Sequence, residues 1–188
     1  VFEFTSGVEL GEKHRLAWGE KRYEAGKDWI PVSFSETGPV KAAPVVFAGY
    51  GIAAPEEDEQ AEYDSFVHLD MRDKWLLVFR FMPEDIAPER RQHLSRYASL
   101  RYKAMLARDR GARGLILVSG PNSQVREELI PLRFDGTLAG TSVPVISVRD
   151  EIAGQWLASA GKDLKSLQDK LDSGEPAMGI VLEDVQLS

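Results

Sequence analysis

Two apolar runs separated by a stretch free of proline and glycine constrain this chain more than any other feature. Trp75-Leu76-Leu77-Val78-Phe79-Arg80-Phe81 is apolar almost throughout, and so is Gly114-Leu115-Ile116-Leu117-Val118-Ser119. A strand with one wet face alternates in polarity, whereas a strand covered on both faces does not, so both runs read as buried strands. Between them, residues 91–110 hold no Pro or Gly, and Tyr97, Leu100, Ala104 and Ala107 fall on one stripe of a helix. Gly111 stands as the glycine just past the helix end, with Arg108 and Arg110 in the last turn complementing the helix dipole. The predicted unit is strand, helix, strand over residues 75–119, for which right-handed parallel pairing is the default.

The flanking sequence extends this α/β pattern. Pro44-Val45-Val46-Phe47-Ala48-Gly49-Tyr50-Gly51 predicts a buried strand closing in a tight turn, and Pro144-Val145-Ile146-Ser147-Val148 predicts another. A helix through Ile152, Trp156, Leu157 and Ala160 follows, then a short one through Leu164, Leu167 and Leu171. The tail from Met178 to Leu187 alternates in part, as an exposed antiparallel strand does. The opening, including Val1-Phe2-Glu3-Phe4 and Trp29-Ile30-Pro31-Val32, reads as short strands and turns, and Pro83 and Pro88 as breaks. At 188 residues the chain supports one core, hence one domain. Its first residue, Val1, predicts an excised or processed piece of a longer protein.

The chemistry is narrowed mostly by exclusion. With no cysteine, the chain has no disulfides, thiolate metal sites or cysteine nucleophile. No apolar run reaches the roughly 18 residues of a membrane span. Gly49-Tyr50-Gly51-Ile52-Ala53-Ala54 fits a dinucleotide fingerprint, with Asp70 at the spacing of a ribose ligand, but Pro55 and a run of acids follow where a helix N-terminus is needed. A turn is the better reading. Residues 19–27 and 154–162 mimic phosphate loops with the wrong spacing, and Asp28 and Asp163 replace the magnesium-binding hydroxyl. His68-Leu69-Asp70 is the sharpest metal candidate, since in a strand residues i and i+2 share a face; the plain alternative is a polar lead-in to the Trp75 strand. The acidic loop with Glu56, Glu57, Asp58, Glu59, Glu62 and Asp64 lacks the order of a calcium loop, and a solvated loop is favoured. Arg90, Arg91, Arg96, Arg101, Lys103, Arg108, Arg110 and Arg113 spread around the helix, and the net charge is −7, so nucleic acid is not an expected partner. No serine sits in a nucleophile elbow, and no Ser, His and Asp set stands out.

The order of three elements resembles the protease-associated domain family. Asp73-Lys74-Trp75-Leu76-Leu77-Val78-Phe79-Arg80 is similar to that family's first strand. Lys103-Ala104 through Ala107 to Gly111-Ala112-Arg113-Gly114-Leu115-Ile116-Leu117 is similar to its helix and second strand, and Val143-Pro144-Val145-Ile146-Ser147-Val148 to its third. Val45-Val46-Phe47-Ala48-Gly49-Tyr50-Gly51-Ile52, with Tyr63-Asp64 downstream, resembles the version inserted in secreted two-zinc aminopeptidases. The chain departs from the commoner pattern after Arg80, where Phe81-Met82-Pro83 and a proline-bearing insertion follow.

The resemblance implies a single-domain α/β fold of the swivelling β/β/α type, a β-barrel-like sheet with flanking helices. Residues 1–43 would be strands leading in, 44–175 the module, and 176–188 a strand leading towards a separate peptidase domain. It implies a noncatalytic role in substrate access or in peptide and protein interaction. The partners would be the chain's own peptidase domain and a peptide or protein substrate. No cofactor is implied in this domain, zinc belonging to the peptidase domain, and the location would be extracellular or periplasmic. Loops at strand ends, residues 49–64, 119–122 and 140–142, are the expected contact surface, with Tyr50, Arg80, Asn122 and Thr141 as candidate contacts. Two other readings stay open: a small metal-dependent hydrolase using His68 and Asp70, and a calcium-dependent binding module using the acidic loop.

Overall fold

The parallel strand, helix, strand unit is present and forms the centre of one large sheet. The structure is a computed structural model that describes residues 9–133, 140–176 and 178–188. Its strands are β1 (Leu16–Trp18), β2 (Lys21–Tyr23), β3 (Trp29–Pro31), β4 (Ala43–Phe47), β5 (Ala53–Ala54), β6 (Tyr63–Asp64), β7 (Trp75–Phe79), β8 (Gly114–Val118), β9 (Val145–Val148) and β10 (Ile180–Leu187). The helices are α1 (Pro88–Ser95), α2 (Leu100–Asp109), α3 (Asp150–Ser159) and α4 (Leu164–Leu171).

Eight strands lie in the order β2-β1-β10-β4-β7-β8-β9-β3, and β5 and β6 form a separate hairpin. The β4, β7, β8 and β9 strands run parallel, with Val45 beside Trp75, Trp75 beside Gly114, and Leu115 beside Val145. The two edge strands, β2 and β3, are consecutive in the chain. Across the turn that joins them, Trp29 Nε1 donates to the Tyr23 carbonyl at 3.2 Å and the Gly26 N–H to the Trp29 carbonyl at 2.7 Å. The sheet therefore curls until its edges meet at that end, giving a nearly closed, barrel-like α/β body. Both terminal segments belong to it: β3 pairs with β9, and β10 lies between β1 and β4. The tail is antiparallel, as its alternation predicts, but it is paired on both sides.

Period two along each strand explains the unbroken apolar runs. Val45, Phe47, Leu77, Phe79, Ile116 and Val118 pack with Trp156 and Leu157 of α3 and Leu164 and Leu171 of α4. Val46, Leu76, Val78, Leu115 and Leu117 face the other way onto Ala104, Leu106 and Ala107 of α2. Every residue of β7 and β8 is buried, so no position on either strand is free to be polar.

The long helix expected over residues 91–110 is instead two. Pro88 does not simply break the chain but starts α1, because a proline in the first turn forfeits an N–H that has no helical partner anyway. Ser99 then caps α2, its Oγ accepting the Tyr102 N–H at 3.2 Å, and a cap requires non-helical backbone at that point. Tyr97 falls in the break, so the stripe of Leu100, Ala104 and Ala107 belongs to α2 alone. The predicted stop at Gly111 is present: with φ +77°, its N–H donates to Arg108 at 2.9 Å and the Ala112 N–H to Ala107 at 2.9 Å, closing the helix in the left-handed turn that favours glycine. The Val1 to Phe4 strand lies outside the described residues.

Candidate interaction site at the carboxyl ends of the parallel strands

Parallel α/β sheets receive their ligands outside the carboxyl ends of the strands, because loops diverge there. In this chain the carboxyl ends of β4, β7 and β8 run into the Gly49 turn, the Arg80 loop and the Gly120 turn, and α4 sits across all three. Gly120 has φ +95°, and a Cβ there would stand 2.7 Å from the Gln168 amide and 2.8 Å from the Phe79 ring, so only glycine lets the helix approach this closely.

The contact is polar at its centre. Asp172, at the end of α4, accepts the Tyr50 hydroxyl and the Glu84 N–H (3.1 Å) on Oδ1, and Asn122 Nδ2 (2.7 Å) on Oδ2. Asn122 also donates through Nδ2 to Asp169 at 2.8 Å and through its backbone N–H to Gln168 Oε1 at 2.9 Å. Gln168 Nε2 reaches the Tyr50 hydroxyl at 3.2 Å. One carboxylate thus ties the ends of β4, β7 and β8 together. Burial raises the Tyr50 pKa, and the adjacent Asp172 raises it further, so the phenol stays a hydrogen-bond donor.

Beneath the Arg80 loop lies a second device. Lys103 of α2, 1% exposed, donates to the carbonyls of Phe79 (2.8 Å), Arg80 (3.2 Å) and Phe81 (2.6 Å). Three carbonyls match the three N–H groups of an ammonium and offset part of its desolvation, yet burial prevails and pulls the pKa down to about 7. Between that pH and the roughly 10.4 of an unfolded lysine, the unfolded chain holds a proton that the folded chain releases, so stability rises with pH. Below the window both states are charged and the full cost is present. Above about pH 10 the trend reverses, since Tyr50 and Tyr63 have raised pKa values and unfolded tyrosines lose protons first. Thermal midpoints from pH 6 to 10 should therefore rise in the native chain and stay flatter in Lys103→Met. Parallel curves for the two proteins would refute the assignment.

Of the four residues singled out as contacts, Tyr50 and Asn122 meet at Asp172, while Arg80 follows β7 and makes no contact with either. Tyr50 is fully buried, so it supports the surface from below rather than touching a partner. Arg80 is half-buried with its guanidinium 4.9 Å from the Phe81 ring, and Asn122 is partly exposed. Thr141 lies at the opposite end, before β9, where its Oγ1 donates to the Phe34 carbonyl at 3.1 Å. Asp172 and Gln168 carry the network and were not legible as site residues: each looks like an ordinary polar position of a short amphipathic helix.

The other candidates resolve locally. Gly51 closes a turn through its N–H to Ala48 at 2.9 Å and leads into β5, with no helix aimed at a phosphate. His68 sits in a turn at φ +58°, so the shared strand face that would let it chelate with Asp70 does not exist. Asp70 instead accepts the Arg72 N–H at 3.1 Å, which, ahead of the weaker pull of Lys74, holds its pKa below the usual carboxylate range. No group of three or more His, Asp or Glu residues suited to a metal occurs among the described residues. In the acidic loop, Glu57 is bound by Arg96 at 2.8 Å. The basic residues point in separate directions: Arg91 to the Glu84 carbonyl at 2.7 Å, Arg113 to Asp73 at 2.6 Å, Lys103 inward. Among the described residues no helix is long and apolar enough to cross a membrane.

No family model matches this chain, and no curated protein matches it. Among solved structures it is similar to the psychrophilic subtilisin-like protease Apa1 from the Antarctic psychrotroph Pseudoalteromonas sp. AS-11, at 15% identity and a TM-score of 0.36. That match covers 93% of this chain and 32% of the protease, so the chain spans about a third of its length.

Proposed function

We propose that this chain is a noncatalytic protease-associated domain of a zinc aminopeptidase, placed beside the catalytic domain and influencing which peptides or proteins reach it. The observation that carries this reading is the arrangement of the segments that resemble the family. They fall on β7, α2, β8 and β9 of one parallel unit, and the carboxyl ends of β4, β7 and β8 are closed by the chain's own α4 rather than left as a reaction crevice. The buried serines at those ends are engaged with backbone: Ser123 Oγ donates to the Ser119 carbonyl at 2.8 Å and Ser119 Oγ to Glu128 at 3.2 Å. An internally satisfied face of this kind suits docking, with the partly exposed Asn122 at its rim. Zinc would be held by the peptidase domain, and export would follow from that enzyme class.

The test compares this chain with its parent protein. The chain alone is expected to release no N-terminal residues and to bind no stoichiometric zinc, while the parent does both. Deleting the segment from the parent should change the rate ratio between long and short peptides rather than the rate on a single-residue amide. Zinc-dependent hydrolysis by the chain alone, abolished in His68→Ala, would sink the reading and establish the small-hydrolase alternative.

A further inference from the structure

The backbone that follows β7 is pinned at two points. At its start the Arg80 N–H donates to the Val118 carbonyl at 2.7 Å. At its end Asp172 Oδ1 accepts the Glu84 N–H at 3.1 Å, and Arg91 donates to the Pro83 and Glu84 carbonyls at 3.3 and 2.7 Å. Between these points lie Phe81 and Met82, whose side chains are only partly buried. Their backbone has one hydrogen bond among the described residues, from Lys103 Nζ to the Phe81 carbonyl at 2.6 Å. The same nitrogen donates to the Phe79 and Arg80 carbonyls at 2.8 and 3.2 Å. One side chain, reaching across from α2, therefore holds the middle of the loop.

That hold depends on a proton. An ammonium has three N–H donors, one for each carbonyl, whereas a neutral amine has two, and its bonds lose the charge assistance that roughly doubles their strength. Lys103 is 1% exposed and its three acceptors are uncharged, so no counter-charge anchors the ammonium. The ionised groups around the loop are turned elsewhere. Arg80 lies over the Phe81 ring and is drawn by Glu128, and Glu84 faces Arg91 at 3.9 Å. On α1, His93 turns its Nδ1 to Glu57 at 3.6 Å. Burial is what acts on the Lys103 charge, and it lowers the pKa to about 7.

We propose that Lys103 is a proton-operated latch: as an ammonium it clamps the Phe81–Met82 segment to α2, and on giving a proton to solvent it frees one carbonyl and lets that segment move. Deprotonation thus relieves the buried charge while loosening the loop at the carboxyl end of β7. The inference concerns this loop alone and stands apart from the aminopeptidase reading.

Nuclear magnetic resonance on the intact, isotope-labelled chain tests both halves. The Lys103 Cε shift is expected to titrate near pH 7, against about 10.4 for an exposed lysine. Backbone order parameters of Phe81 and Met82, taken from Cα relaxation so that amide exchange does not intrude, should fall with the same midpoint, from about 0.85 to below about 0.6. Lys103→Met, which has no N–H to donate, should leave the segment mobile at every pH, and His93→Gln should leave the transition unchanged. An ordinary lysine midpoint overturns the inference, and so do order parameters that stay high. A transition that survives in Lys103→Met, or vanishes in His93→Gln, overturns it as well. The first two readings come from the native chain and decide the matter even where a variant fails to fold.

Discussion

Trp156→Ala lowers the unfolding free energy by about 4 kcal/mol, the expected cost of removing a large aromatic from a core that cannot collapse around the void. Trp156 is the largest fully buried side chain, and α3 holds it against the inner face of the sheet. Its ring meets Tyr23 edge-on at 5.7 Å, and its Nε1 donates to the Tyr23 hydroxyl at 2.8 Å. Tyr23 ends β2, so this contact couples α3 to the edge strand that nearly closes the barrel. For a domain of this size the loss corresponds to a fall in thermal midpoint of roughly 12 °C. Trp156→Phe keeps most of the volume but leaves the hydroxyl without its donor, and should cost about half as much. Differential scanning calorimetry on the three proteins reads this directly. A fall below about 3 °C in the alanine variant would show that the seam is not closed through Trp156.

Asp172→Ala should cost about 3 kcal/mol and alter the carboxyl-end face, because it removes the acceptor for three donors at once. The Tyr50 hydroxyl, the Glu84 N–H and Asn122 Nδ2 come from three different strand ends, so their alignment depends on one residue. Asp172→Asn retains an acceptor oxygen for Tyr50 and should cost only about 1 kcal/mol. Amide hydrogen exchange separates this from general loosening: protection should fall at residues 50–52, 84–85 and 122–123 while β7 and β8 stay protected. Uniform loss across the sheet would mean that Asp172 supports the core rather than the site.

Much of the central architecture was readable from short-range pattern. The unbroken apolar runs of β7 and β8 imply cover on both sides, and α2 and α3 supply it. Gly111 announces the end of α2 because its left-handed turn is a local matter of backbone sterics. The break between α1 and α2 was harder to see, since Ser99 is as acceptable on a helix surface as at a cap, and only the competing Tyr102 N–H decides. Lys103 reads as one more basic residue in a charged stretch. Nothing near it in sequence says that three carbonyls 22 to 24 residues earlier, at the end of β7 and in the loop after it, will surround it.

The candidate site divides the same way. Tyr50, Arg80 and Asn122 were flagged because they follow strands, a property visible within a few residues. Asp172 and Gln168, which organise Tyr50 and Asn122, lie 122 and 118 residues from Tyr50. Their partners become partners only once four parallel strands are aligned and α4 is laid across the ends. Local periodicity and turn chemistry act over a few residues and are written in the chain itself: which segments are strands, which helices, where each stops. The nearly closed barrel, the buried lysine and the Asp172 network depend on contacts between segments distant in sequence. Burial and hydrogen-bond satisfaction are settled only when those segments share one core, and there tertiary structure alone decides.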